Sequence, residues 1–189
     1  MLLCVLEESI RQTLILITGS PCVGETAAAE SLLEAYENSA YFDGDWAWCV
    51  HPFSLDDPRL RNGDRTMSFA LSNYLNSGFE YVIFSSVVII GEQIRAAIIK
   101  DITAKGFKTA AFTLKCSEKT LTDRRKKRGD PGEISFQWLR MAVHPGDYVI
   151  NTDGKTAEQV AAGIKAILDA EEEQERGAPY GSETEAVRV

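Results

Sequence analysis

"ITGSPCVGETAAAESLL", residues 17–33, decides how the rest of the chain is read. Leading into it, TLILITG (13–19) is a short apolar run, rich in β-branched residues and without helical period, as in a strand buried on both faces. Beyond the glycines, Ala28, Ala29, Leu32, Leu33 and Tyr36 recur at helical spacing. Strand, glycine loop and helix in that order turn the backbone N–H groups of the loop and of the helix N-terminus toward one point. Glycines there let the backbone approach an anion without a Cβ clash. Gly19, Ser20, Cys22, Val23, Gly24 and Thr26 occupy the places of the pattern G-x-x-x-x-G-K-[ST], with the Thr26 hydroxyl positioned as an Mg²⁺ ligand. The place of the lysine is held by Glu25.

The formal net charge of −8 argues against a nucleic-acid or anionic-membrane surface, either of which needs a basic footprint. Small molecules or proteins are left as partners, for a monomer or a homodimer. Cys4, Cys22, Cys49 and Cys116 lie far apart, so neither a structural zinc site nor a disulfide framework is suggested, and a cytoplasmic setting fits. MLLCVLEESIRQ (1–12) opens with an apolar run but carries Glu7 and Glu8 and is too short to span a bilayer, so it reads as an N-terminal extension.

Strands and helices alternate along the rest. A second strand ends at AYFDGD (40–45), and Met67, Ala70, Leu71, Tyr74 and Leu75 mark a helix. YVIFSSVVII (81–90) begins as a third strand, Ile94, Ala97, Ile98 and Ile102 stripe the next helix, and FKTAAFTLKC (107–116) is a fourth strand. A basic helix follows from about Ser117, then a short strand GDYVIN (146–151) and a helix opened by Thr156 and Gln159, which match a capping box. This alternation predicts a parallel sheet covered on both faces. The acidic segment from Glu171 is poor in apolar residues and reads as a disordered tail over 171–189.

The glycine loop in its strand-to-helix setting resembles that of the P-loop small-molecule and nucleotide kinases, a group including shikimate, gluconate, adenylylsulfate and nucleoside-monophosphate kinases. FDGDWAWCVHPF (42–53) is similar to a segment of bacterial P-loop proteins labelled AAA family ATPase or nucleotide kinase. The resemblance covers a domain of about residues 13–170 and implies a three-layer α/β/α P-loop NTPase fold, with a five-stranded parallel sheet and a small basic lid. It further implies ATP and Mg²⁺ as cofactors, with a nucleotide and an unidentified small-molecule acceptor as partners.

In that group an acidic pair after the second strand touches the phosphate acceptor or Mg²⁺, and the matching residues here are Asp43 and Asp45. They sit at the carboxyl end of a strand, the edge where open α/β sheets place ligands, and a carboxylate there can take the proton of an acceptor hydroxyl. An Asp-Gly turn explains the same residues without a function. Trp46, Trp48 and Phe53 either wall an acceptor pocket or serve the core.

TDRRKKRGDPG (122–132) puts Arg124 and Arg128 on one helical face with Arg125 beside them, which resembles a lid that clamps a transferring phosphoryl group. A solvated basic helix end is the plainer alternative. NTDGKT (151–156), with Asp153 and Gly154, resembles the loop beside the adenine and equally fits a turn with an N-cap. His51 and His144, each before a proline, read as polar loop residues. Cys22 lies near a helix N-terminus, where a thiol pKa can fall. Ser85 and Ser86 stand where relatives carry an acidic metal partner.

Glu25 turns an attraction for the β- and γ-phosphates into a repulsion, each worth about 4 kcal/mol at a few ångströms and an effective dielectric of about 20. Three accounts stay open: a degenerate non-catalytic module, a cation supplied by Arg124 or Arg128, or a change in this copy alone. The reading is an ATP-dependent phosphotransferase fold whose activity Glu25 impairs, with a nucleotide-binding regulatory pseudokinase as the alternative.

Overall fold

In the computed structural model, residues 12–54, 56–130 and 132–177 are described. Their strands are β1 (Thr13–Gly19), β2 (Ser39–Asp43), β3 (Tyr81–Ser85), β4 (Lys108–Lys115) and β5 (Tyr148–Asn151). They form one five-stranded sheet in the order β2-β3-β1-β4-β5, and every pairing is parallel. The helices are α1 (Glu25–Glu34), α2 (Arg61–Asn76), α3 (Glu92–Lys100), α4 (Glu118–Arg128), the short α5 (Gln137–Arg140) and α6 (Ala157–Gly177).

β1 is central and buried along its whole length, which is why its sequence reads as an unbroken apolar run. Its period of two divides the core. Ile15 and Ile17 pack with Ala29 and Leu32 of α1 and Val160, Ile164 and Leu168 of α6. Leu14 and Leu16 face the other way, onto Met67 and Leu71 of α2 and Ile98 of α3. Each such aliphatic side chain contributes about 1.5–3 kcal/mol by leaving water, and together they fix β1 against two helical layers. The carboxyl edge of the strands then becomes the one place where loops from all parts of the chain meet.

β2 ends earlier than the sequence reading has it, β3 begins the 81–90 segment as read, and the acidic segment from Glu171 is helical in part. β2 and β3 stop at Asp43 and Ser85, and the chain turns into single 3-10 turns at Gly44–Trp48 and Val87–Ile90. Asp43 and Ser86 initiate these turns by accepting the N–H groups of Asp45 and Val88 on their side chains. The acidic segment expected to be disordered from Glu171 begins inside α6, which continues to Gly177. Tyr81 donates its hydroxyl to Glu172 at 2.8 Å, Tyr148 donates to Glu171, and Lys108 lies 3.6 Å from Glu175, so these acids serve as helix-to-sheet ties. The capping box is formed, with Thr156 N–H donating to Gln159 Oε1 and Gln159 N–H to Thr156 Oγ1. Of the N-terminal extension only Gln12 is among the described residues; its amide donates to the carbonyls of Leu75 and Phe79. No described helix is long and apolar enough to cross a membrane.

Candidate functional site

The loop from Gly19 to Thr26 leaves β1 at the carboxyl edge and enters α1. A Cβ on Gly19 would lie 2.5 Å from Val23 Cγ1 and 2.8 Å from the Leu114 carbonyl, so the loop closes only with glycine at that point. Gly24 has φ 107 and caps α1 without any side-chain hydrogen bond, and Cys22 holds φ 71, a conformation that costs a non-glycine residue about 1 kcal/mol. The uncapped N-terminus of α1 therefore presents its backbone donors as a cradle for an anion.

Glu25, the first residue of α1, is half-buried. Burial pushes its carboxyl up from the ordinary 4.5 to about 7, and the charges of Asp45 and Asp43 push the same way. Hydrogen bonds from the N–H groups of Glu25 itself and Gly24 oppose the rise. The carboxylate thus draws on the same donors that the loop would offer to a phosphate. The backbone fits a phosphate, and Thr26 Oγ1 with Asp43 Oδ2, 3.2 Å apart, are hard oxygen ligands of the kind Mg²⁺ takes. The ionised Glu25 side chain does not fit a polyphosphate beside it. Among the described residues no group of three or more His, Cys, Asp or Glu is placed to hold a metal ion by itself.

Asp43 and Asp45 both reach this loop. Asp43 Oδ2 accepts from Thr26 and from the Tyr41 hydroxyl, each at 3.2 Å, and Oδ1 accepts the Asp45 N–H at 2.9 Å. Asp45 Oδ1 accepts from Ser86 Oγ at 2.9 Å, while Tyr41 OH and Ser85 Oγ are 2.8 Å apart. Desolvation raises the Asp45 pKa, the Ser86 bond lowers it, and the charge of Asp43 adds to the rise. Ser85 and Ser86, at the end of β3, hold Tyr41 and Asp45 in place.

The basic segment separates into unlike parts. Arg124 extends under the phosphate loop, where Nη1 donates to the Val23 carbonyl at 2.7 Å and to Thr152 Oγ1 at 3.0 Å, and Nη2 donates to the Thr152 carbonyl at 2.9 Å. It is a brace between the loop and the β5–α6 connection. Arg128 is 66 % exposed, and its Nε donates to Asp130 Oδ1 at 2.8 Å. Cys22 Sγ donates to Asp130 Oδ2 at 3.3 Å, so Arg128 meets the phosphate loop through Asp130. Arg125 is half-buried on α4, and its charge reaches Cys22. Burial and the bond to Asp130 raise the Cys22 pKa, which agrees with a small loop residue rather than an activated thiol.

Asp153 accepts the Ser117 N–H at 2.9 Å and the Ser117 hydroxyl at 3.1 Å, and Gly154 turns the chain at φ 67. The NTDGKT segment is thus a turn pinned to the start of α4, beside the Arg124 brace. His51 is exposed, and His144 Nδ1 lies 3.9 Å from Asp147, whose carboxylate forms a buried pair with Arg95 at 2.8 Å.

Beside Asp45 opens a cavity of about 880 Å³, walled by Trp48 and Phe53, by Val87, Val88 and Ile94, and by Trp138 and Met141. Trp46, grouped with Trp48 in the sequence reading, is not among its lining residues and is 74 % exposed. Sequence reasoning missed Arg61, Trp138 and Lys115. Arg61 lies 4.4 Å over the Trp48 ring and borders the cavity. Lys115, at the end of β4, donates to the carbonyls of Leu139 and Met141 at 2.8 and 2.9 Å, and so holds the α5 wall. A basic residue closing an apolar strand was the only signal for Lys115; the short QWLR segment (137–140) gave none.

No protein-family model matches the chain, and comparison with the curated proteins finds no match. Solved structures do match. The Deinococcus radiodurans tunicamycin resistance protein aligns at 21 % identity and TM-score 0.65, over 84 % of this chain and 96 % of that one. A gluconokinase from Sinorhizobium meliloti aligns at 15 % and 0.61, over 87 % and 98 %. The Mycobacterium tuberculosis APS kinase, in complex with AMPPNP and APS, aligns at 17 % and 0.59, over 84 % and 98 %. The chain shares the fold of P-loop small-molecule kinases.

Proposed function

We propose that the protein is a P-loop phosphotransferase that moves the terminal phosphoryl group of ATP to a hydroxyl of a small molecule. The observation that carries this reading is one continuous cleft edge. An uncapped α1 N-terminus behind a glycine loop adjoins Thr26 and Asp43, and these adjoin Asp45 on the wall of a half-open cavity. ATP supplies the phosphoryl group. In the proposed roles the loop N–H groups hold phosphate oxygens, and Thr26 with Asp43 would hold Mg²⁺. Asp45 takes the acceptor's hydroxyl proton as that oxygen bonds to phosphorus and ADP leaves. Arg124 being taken up by carbonyls, Arg128 and Arg125 at the C-terminal end of α4 supply the cation in place of the lysine, the charge of Arg128 reaching Glu25 and that of Arg125 reaching Cys22. Asp153 and Gly154 border the nucleotide from the far side of the Arg124 brace.

One observation favours a second reading, a nucleotide-sensing module without turnover: an acid, Glu25, stands at the first position of α1, beside the donors of the cradle. Calorimetric titration with MgATP, on the unmodified protein and on Glu25→Lys, separates the two. Turnover in the unmodified protein that is lost in Arg128→Ala supports a compensated kinase. No turnover in either form, with ATP bound only by Glu25→Lys, supports the sensing module.

A further inference from the structure

The cavity beside Asp45 has a chemistry of its own. Among the described residues, no lining side chain apart from Asp45 and Arg61 carries charge, and apart from Gln137 the others are aromatic or aliphatic or belong to Gly91. Phe53 and Trp138 border it while remaining 56 % and 38 % exposed, a poor use of large apolar side chains unless something covers them. The two charges are prepared in different ways. Asp45 is held by Ser86 Oγ at 2.9 Å on the side of the phosphate loop. Arg61 lies over Trp48, its guanidinium carbon 4.4 Å from the ring centroid, with Nη1 3.2 Å from Asp64 Oδ2, and Asp64 Oδ1 accepts the Trp48 indole N–H at 3.1 Å. This triangle sets a planar guanidinium at the cavity rim, suited to a carboxylate.

A polyhydroxylated molecule in this cavity would lose water from hydroxyls that find no partner, at about 1–3 kcal/mol each. An apolar body would gain about 25 cal/mol for each Å² removed from water. We propose that the acceptor is amphipathic, with a bulky or planar apolar body against Trp48, Phe53 and Trp138, one hydroxyl at Asp45 and one carboxylate at Arg61. The word acceptor rests on the phosphotransferase reading; the chemistry of the occupant rests on the cavity alone.

Two probes of equal charge test this by calorimetry at two temperatures, 2-hydroxy-3-(2-naphthyl)propanoate and gluconate. The naphthyl hydroxy acid binds with a negative heat-capacity change and at least about tenfold more tightly than gluconate. Trp138→Ala and Phe53→Ala, both at exposed positions and checked by thermal melting, each weaken the naphthyl probe severalfold and leave gluconate unchanged. Gluconate binding as tightly as the naphthyl probe overturns the proposal, and so does naphthyl binding indifferent to both truncations or undetectable at millimolar probe. The kinase reading is tested separately by phosphoryl transfer from ATP with Glu25→Lys. Naphthyl binding without transfer upholds the cavity assignment and removes the kinase, whereas transfer to gluconate alone overturns the cavity assignment and keeps the kinase.

Discussion

The glycine loop and the cavity next to it meet at Asp45 and are built in opposite ways. The loop is one continuous stretch, from Gly19 to Thr26, whose shape follows from its own glycines and the two elements it joins. The cavity gathers Asp45, Arg61, Val88 and Trp138 from four separate parts of the chain. The loop pairs an anion-cradling backbone with an acid, Glu25, at the first helical position, while the cavity holds few charges and depends on packing. Local shape and local charge are therefore separable in this loop, because backbone conformation and side-chain charge are set by different residues.

The largest expected effect breaks that division at the loop. Glu25→Lys should raise MgATP affinity by about a hundredfold or more, since a repulsion becomes an attraction next to unchanged backbone donors. A variant that folds normally and still fails to bind MgATP in calorimetry would show that shape and charge were not separable here.

Next comes the pH dependence of the loop. With a folded-state value of about 7 against 4.5, the Glu25 carboxyl is protonated in the folded protein and ionised in the unfolded one between those two pH values, and it ionises in the folded protein above about 7. Stability is therefore fully present below the unfolded value and is lost as pH rises toward about 7, by up to about 3 kcal/mol before solvent screening is discounted. MgATP binding should weaken over the same range. Urea unfolding across this window should show the decline, and Glu25→Gln should flatten it; an unchanged slope in Glu25→Gln would assign the decline to other groups.

Arg124→Ala should cost about 2 kcal/mol in thermal unfolding, because it strips partners from the carbonyls of Val23 and Thr152, whereas Arg128→Ala, at an exposed pair, should cost almost nothing. Equal losses would mean that the two arginines share one role. On the cavity side, Lys115→Met should cost about 1 kcal/mol and speed hydrogen exchange across residues 137–141, which depend on that side chain for anchorage. Exchange confined to its original rate would place the anchor of α5 elsewhere. The smallest effect belongs to Trp46→Ala, which should leave naphthyl-probe affinity within about twofold, because Trp46 does not line the cavity. A larger loss would extend the cavity past its present rim.

Periodicity and punctuation determine much of this molecule. The unbroken apolar run of β1, the Gly19 and Gly24 positions and the Thr156–Gln159 box each specify backbone within a few residues of themselves, so all could be read before any packing was known. The placement of Asp43 and Asp45 at a strand end was legible for the same reason. Tertiary structure alone decided what the side chains do once distant segments meet. Arg124 and Arg128 look equivalent on one helical face, yet one braces Val23 and Thr152 while the other pairs with Asp130 near the surface. The acids from Glu171 onward read as a tail because their partners, Tyr81, Lys108 and Tyr148, lie far away in sequence. Lys115, Arg61 and Trp138 carried almost no local signal, since what they touch is set by the parallel crossovers that bring four loops to one edge of the sheet. Short-range sterics fix backbone shape, but a side chain's partner and its desolvation depend on which segments the core brings together.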